Sequence, residues 1–292
     1  MKKHENGDFL MDGIEEKLSP IFKWGGGKRQ LLDSILPLIP SHTKYYEPFI
    51  GGAAVLLGLK PKYAVINDYN TELINAYRVI RDNPEKLIHL LEEHNAKNTV
   101  EYFYEVREWD RDPSIYGALT DIEKAARTIY LNRTCFNGLY RVNKKGYFNT
   151  PCGKYKNPEI VNSERIRTIH KYLANNRVDI RCGDYKGALK YIREGAFVYF
   201  DPPYMPPENG DETFTNYTVD GFDVAKQVEL KEVCDILTEK GVKFMLSNSY
   251  CSFIRDLYKD YHVETVQVRR NISADSGKRG LIDEVLVTNY EV

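Results

Sequence analysis

Two patterns of apolar and polar positions run along the 292-residue chain. Short apolar runs that end in polar turns (KYYEPF, KYAVIND, VDIRCGD, FVYFDPPY and KFMLSNS) predict buried strands, being rich in β-branched and aromatic residues and bounded by Gly, Pro, Asn or Asp. Longer segments repeat their apolar residues at helical spacing. AAVLLGL, NTELINAYRVIRDN, PEKLIHLLEEHNAKN, DIEKAARTIYLNRTCF, SERIRTIHKYLANN and FDVAKQVELKEVCDILTEKG are predicted helices. The first two strands with AAVLLGL between them form a βαβ unit. YHVETVQVRR and DEVLVTNY predict an antiparallel pair near the end of the chain. Alternation of β and α at both ends implies one mainly parallel α/β sheet. The middle reads as an insertion, helical first and then NGLYRVNKKGYFNTPCGKYKNP, whose Gly, Asn, Pro and Tyr content predicts hairpin and loop. The expected division is a flexible tail over 1–19, a core of 20–69 and 176–292, and an inserted domain over 70–175.

Composition adds three constraints. Hydrophobic content of 42% and charged content of 28% suit a soluble globular protein. No apolar run approaches the roughly 20 residues that span a bilayer, and the charged N-terminal segment has no apolar stretch of a secretory signal, so neither membrane nor export is expected. The five cysteines are odd in number and lack a CxxC, which favours reduced thiols in a cytoplasm over disulfides and gives a metal site no support. Net charge is −1, yet residues 124–156 carry eight bases (Lys124, Arg127, Arg133, Arg141, Lys144, Lys145, Lys154, Lys156) and no acids. Such asymmetry suits a polyanion partner and, on charge alone, suits a solvated face equally.

Candidate chemistry sits where the strands end, since ligands of open α/β sheets bind beyond the strands' carboxyl ends. Gly51-Gly52 leave the first strand, where missing side chains let a ligand approach backbone. About 17 residues on, Asp68 ends the second strand, placed for ribose hydroxyls. A tight strand-to-helix turn explains the glycines by themselves just as well. There is no GxxxxGK[ST] and no full GxGxxG, which a nucleoside without a pyrophosphate would not need; S-adenosylmethionine is such a ligand. KWGGGK (Lys23 to Lys28) is too glycine-rich for a helix interior and suits a loop closing over a ligand, although Trp24 could be a core aromatic and Lys28 a surface residue. The fourth strand runs straight into Asp201-Pro202-Pro203-Tyr204. Two prolines set the backbone there and remove donors, holding a carboxylate and an aromatic ring in fixed relation. An exocyclic amine, poor as a nucleophile because its lone pair is delocalised, would be helped by donating one N–H to Asp201 and one to the Pro202 carbonyl, with its ring stacked on Tyr204.

The segments FKWGGGKRQLL, YYEPFIGGAA, VINDYN, LNRTCFNGLYRVNKKGYFNTPCGKYKNP, YFDPPY and VRRNIS resemble, in this order, the Dam-type DNA N6-adenine methyltransferases over about residues 20–290. The resemblance implies a Rossmann-like S-adenosylmethionine-dependent methyltransferase core with an inserted, mostly helical plus β-hairpin target-recognition domain, acting as a monomer on double-stranded DNA at GATC. It implies that Trp24, Lys28, Phe49, Gly51, Gly52, Asp68, Asp184 and Asp201 line the cofactor site, with Asp184 near the adenine, and that Asp201, Pro202 and Tyr204 act on the target amine. Lys23 and Arg141 would read guanines, Phe136 and Asn137 would fill the gap left by a flipped base, and Leu139 would touch a target base. Arg133, Lys144, Lys145, Arg269 and Arg270, with Lys278 and Arg279, would serve the phosphates, although the last four suit an exposed basic loop too. One departure stands out: the family's F-x-G-x-G reads Phe49-Ile50-Gly51-Gly52-Ala53, a methyl that could weaken cofactor affinity. Competing readings are RNA methylation, protein-glutamine methylation (for which Asn rather than Asp201 would be suited) and a catalytically idle DNA-binding module. A nicotinamide oxidoreductase would need the glycine fingerprint that is missing.

Overall fold

A computed structural model describes residues 18–206, 222–269 and 281–291, with the side chain of Arg269 left aside. Its seven strands form one sheet in the order β3-β2-β1-β4-β5-β7-β6. They are β1 (Tyr45–Glu47), β2 (Tyr63–Asp68), β3 (Arg177–Cys182), β4 (Phe197–Phe200), β5 (Lys243–Ser249), β6 (His262–Arg269) and β7 (Leu281–Thr288). The first five are parallel to one another, and β7 runs antiparallel between β5 and β6. Each strand expected from the apolar runs is present, and so is the antiparallel pair.

Alternation along the central strands explains why they are apolar almost throughout. Tyr45, Ala64, Ile66, Phe197, Tyr199 and Met245 enter one core, while Tyr46, Val65, Val198, Phe200, Phe244 and Leu246 enter another on the opposite face. A strand covered on both faces needs no polar side. The first core is shared with the helices between β2 and β3, including Thr71–Asp82, Pro84–Ala96 and Asp121–Thr134. Their ends are encoded locally. Asn70 accepts the Leu73 N–H, and Thr120 with Glu123 forms a reciprocal capping box. Helices Val100–Glu108 and Pro113–Ala118 occupy a stretch the periodicity left unassigned, each capped by a side chain, Thr99 and Asp112.

The expected hairpin takes a looser form. Residues 135–152 double back through single bridges, Cys135 with Cys152 and Val142 with Phe148, around a turn in which Asn143 Oδ1 accepts the Lys145 and Tyr147 N–H groups. Asn137 adopts left-handed backbone (φ 54°) and Gly138 follows it (φ 65°), which breaks any continuous strand. The tail over 1–17 and the residues Arg270, Lys278 and Arg279 lie outside the described residues. Among the described residues no helix is long and apolar enough to cross a membrane, and no three His, Cys, Asp or Glu side chains group as metal ligands.

Candidate active site

Parallel order brings the carboxyl ends of β1, β2 and β4 to one edge of the sheet, and with them Glu47, Asp68 and Asp201. A cavity of about 960 Å³ opens at that edge, lined also by Trp24, Lys28, Phe49, Gly51, Gly52, Asp184, Pro202 and Tyr204. All the residues expected from the resemblance to hold the cofactor or act on the amine therefore share one space.

The space above Gly51 and Gly52 is already filled. A β-carbon on Gly51, whose φ is 44°, would stand 2.7 Å from Trp24 Cδ1, and one on Gly52 3.3 Å from Trp24 Cβ. The absent side chains thus admit the Trp24 indole, which in turn stacks on Tyr140 at 5.6 Å. Asp68 fastens the same loop: one oxygen accepts the Gly51 N–H (3.1 Å), the other the Asn70 N–H (3.0 Å). Burial raises the Asp68 carboxyl above its ordinary pKa, partly offset by these N–H donors. Ala53 is wholly buried and does not line the cavity. Its departure from the family pattern therefore bears on backbone strain, at φ 61°, rather than on contact with a ligand.

Lys28 is no surface residue. It is 3% exposed, pairs with Asp201 Oδ1 at 2.9 Å, lies 3.9 Å from Glu284 and sits 4.6 Å from the Tyr204 ring centre. Ser247 also donates to Asp201 Oδ1, at 2.9 Å, and the Tyr199 hydroxyl stands behind Ser247 at 3.2 Å. Asp201 is thus anchored through Oδ1, and among the described residues its Oδ2 accepts no hydrogen bond. The Tyr204 hydroxyl donates to Glu284 at 2.7 Å. Burial raises the Glu284 carboxyl, opposed by Lys28 and by Tyr204. Sequence reasoning missed Glu284 and Ser247. Glu284 reaches the site only because β7 runs backwards beside β5, opposite Ser249. Asp184 caps the short helix Tyr185–Leu189 through the Lys186 N–H, and Phe49 packs tilted against Tyr185 at 5.1 Å.

Next to the cavity, Asn132 joins two segments expected to act apart. It is wholly buried; its Oδ1 accepts the Lys23 N–H, and its Nδ2 donates to the carbonyls of Lys23 and Gly138. Phe136, 45% exposed, thus projects from a turn braced against the KWGGGK loop. Lys23 Nζ lies over the Tyr155 ring at 4.1 Å. Arg141 is exposed, with Nε on Asn149 Oδ1 at 3.1 Å, and Lys144 and Lys145 are exposed as well, whereas Leu139 is half-buried. Two of the eight bases have acidic partners within the protein: Arg127 is buried against Asp110 at 2.9 Å, and the half-buried Arg133 pairs with Glu159.

Residues 24–272 match the family model of the D12 class N6 adenine-specific DNA methyltransferases. The chain is 48% identical to the Type II methyltransferase M1.LlaDCHI of Lactococcus lactis subsp. cremoris, over 96% of this chain and 99% of that protein. It is 38% identical to the Type II methyltransferase M.MjaIII of Methanocaldococcus jannaschii, over 94% and 100%, and 31% identical to the DNA adenine methylase of Escherichia coli K12, over 93% and 95%. Full-length similarity of this kind, on a sheet that gathers Asp-Pro-Pro-Tyr, Gly-Gly and Asp68 about one cavity, means that the chain belongs to the D12 class of N6 adenine-specific DNA methyltransferases.

Proposed function

We propose that this adenine-specific DNA methyltransferase takes its methyl group from S-adenosylmethionine and acts on the flipped adenine of GATC. The cavity suits a cationic nucleoside. Glu47, Asp68, Asp184, Asp201 and Glu284 line its sheet side, where the buried Lys28 is already shared between Asp201 and Glu284; the other bases of the lining, such as Lys23, Arg29 and Lys226, are half-buried or exposed. Bound there, the cofactor supplies an electrophilic sulfonium methyl. Asp68 and the Gly51-Gly52 loop would take its ribose, Phe49 and Asp184 its adenine, and Trp24 and Lys28 its remaining edge.

The observation that carries the reading is the placement of Asp201 and Pro202 on the cavity wall, with Asp201 anchored through one oxygen by Lys28 and Ser247; neither Asp201 Oδ2 nor the Pro202 carbonyl accepts a hydrogen bond among the described residues. Two acceptors on one rigid turn fit the two N–H bonds of an exocyclic amine and favour the tetrahedral nitrogen that attacks. Tyr204, held by Glu284, offers its ring for stacking. Because N6 cannot reach a buried cavity from within a duplex, the adenine must leave the stack. Phe136 and Asn137 stand ready for the gap, with Lys23, Leu139 and Arg141 for the neighbouring bases and Lys144 and Lys145 for the phosphates. On this reading residues 70–175 supply the target recognition and the sheet supplies the chemistry. Transfer of labelled methyl groups to DNA tests it. Asp201→Ala should lower turnover by at least about 10²-fold while DNA binding survives, and turnover within tenfold of wild type would overturn the mechanism. N6-methyladenine found outside GATC as often as within it would overturn the target.

A further inference from the structure

The segment Asp201–Pro206 leaves the sheet without strand pairing, yet residues far from it in sequence hold its backbone. Gln227, on helix Val224–Glu239, donates from Nε2 to the Pro203 carbonyl at 3.0 Å. Asn248, in β5, accepts the Met205 N–H on Oδ1 at 3.0 Å and donates from Nδ2 to Gln227 Oε1 at 3.1 Å. Ser249 donates its hydroxyl to the Met205 carbonyl. Gln227 and Asn248 are each 0% exposed, and neither lines the cavity.

The amide orientations are forced. Asn248 Oδ1 also accepts the Ser249 N–H at 2.8 Å, and a backbone N–H can only donate, so the oxygen must face both. Nδ2 then points at Gln227, whose oxygen must receive it, and the Gln227 amide is left with its donor toward Pro203. The chain of bonds thus occupies the Pro203 carbonyl, whereas the Pro202 carbonyl accepts no hydrogen bond among the described residues.

We propose that Gln227 and Asn248 are positioning residues for methyl transfer: a buried amide relay that draws the Pro203 carbonyl outward and so aims the Pro202 carbonyl and Asp201 at the target amine. The inference rests on the reading of Asp201 and Pro202 as the acceptors. Neither Gln227 nor Asn248 lines the cavity, so loss of the relay acts on the chemical step, where misplacement of about 1 Å can cost about 10²-fold.

Single-turnover methyl transfer to a GATC duplex tests this. Gln227→Met keeps the length of the side chain and removes both bonds. The rate should fall about 10- to 100-fold while the dissociation constants for S-adenosylmethionine and DNA stay within about threefold of wild type, so kcat and KM separate. Gln227→Glu gives a second readout. As a neutral acid it can donate its O–H to Pro203 and accept from Asn248; as a carboxylate it cannot donate. Its rate should approach wild type at low pH and fall as pH rises through its pKa, levelling off about 10- to 100-fold lower, a fall the wild type does not show. A folded Gln227→Met enzyme within twofold of wild type would overturn the relay. Should that variant fail to fold, a Gln227→Glu profile superimposable on the wild-type profile would overturn it instead. Asp201→Ala is run alongside. An active Asp201→Ala enzyme would overturn the reading of the turn, whereas an inactive one beside unaffected Gln227 variants overturns the relay alone.

Discussion

Replacing Glu47 by glutamine should remove one specific dependence of stability on pH. Glu47 ends β1, is 2% exposed and accepts the Tyr45 hydroxyl at 2.7 Å. Burial dominates its titration. Opposed by the Tyr45 hydrogen bond and reinforced by the Asp201 charge, it raises the carboxyl from 4.5 to about 8. Between those values the folded protein holds a proton that the unfolded chain has released. The raised pKa therefore contributes stability that is complete below pH 4.5 and is lost as pH rises through about 8. At about 1.4 kcal/mol per pH unit, a window of roughly 3.5 pH units amounts to roughly 5 kcal/mol. Glutamine keeps an acceptor for Tyr45 and cannot ionise, so the variant should lack this slope. Denaturant or thermal melts of both proteins from pH 5 to 9 give the measurement. Over that range, which begins half a unit above the lower pKa, their difference should move in favour of the variant by roughly 4 kcal/mol, about 6 °C for a chain of 292 residues. Taking the difference cancels other groups, such as His94, pushed down to about 4 by burial and so contributing the opposite slope. Two stability curves that run parallel across this range, within about 1 kcal/mol, would refute the argument.

Arg141→Ala should cost about 1–3 kcal/mol of discrimination at one guanine and relax specificity there, as loss of a bidentate base contact does. Weakening of all sequences alike, in binding to a panel of substituted duplexes, would make Arg141 a phosphate contact instead. Lys144→Ala with Lys145→Ala should lower the slope of log K against log salt by about 2 for duplex DNA, and an unchanged slope would mark the pair as a solvated face. Ala53→Gly should leave stability within about 1 kcal/mol of wild type, because relief of a left-handed conformation (about 1–2 kcal/mol) is offset by the entropy of glycine (about 0.5–1) and by loss of a buried methyl (about 0.8). A melting temperature shifted by more than about 3 °C would contradict this.

Local chemistry carried much of the reading. Apolar runs bounded by turns predict the strands, because a strand buried on both faces can be apolar at every position. Asp201-Pro202-Pro203-Tyr204 announces itself since two consecutive prolines constrain the backbone wherever they occur. What no local pattern contains is partnership between distant segments. Lys28 has the sequence context of a surface residue, and only folding sets it against Asp201 and Glu284. Glu284 meets Tyr204 across 80 positions because β7 inserts antiparallel beside β5. The eight bases of residues 124–156 share one sign, yet Arg127 and Arg133 are committed to Asp110 and Glu159. The glycine pair is visible in sequence as missing side chains, while its occupant, Trp24, comes from another part of the chain. Gln227 shows the limit most plainly. On an amphipathic helix it reads as one more polar residue, and its burial against Pro203 and Asn248 depends on how that helix packs beside β5. By itself the sequence determined which groups could do chemistry and where the chain must turn. The tertiary structure decided which of those groups meet, because a hydrogen bond or ion pair requires atoms within about 3–4 Å, a distance that sequence spacing controls only within a helix, a strand or a turn.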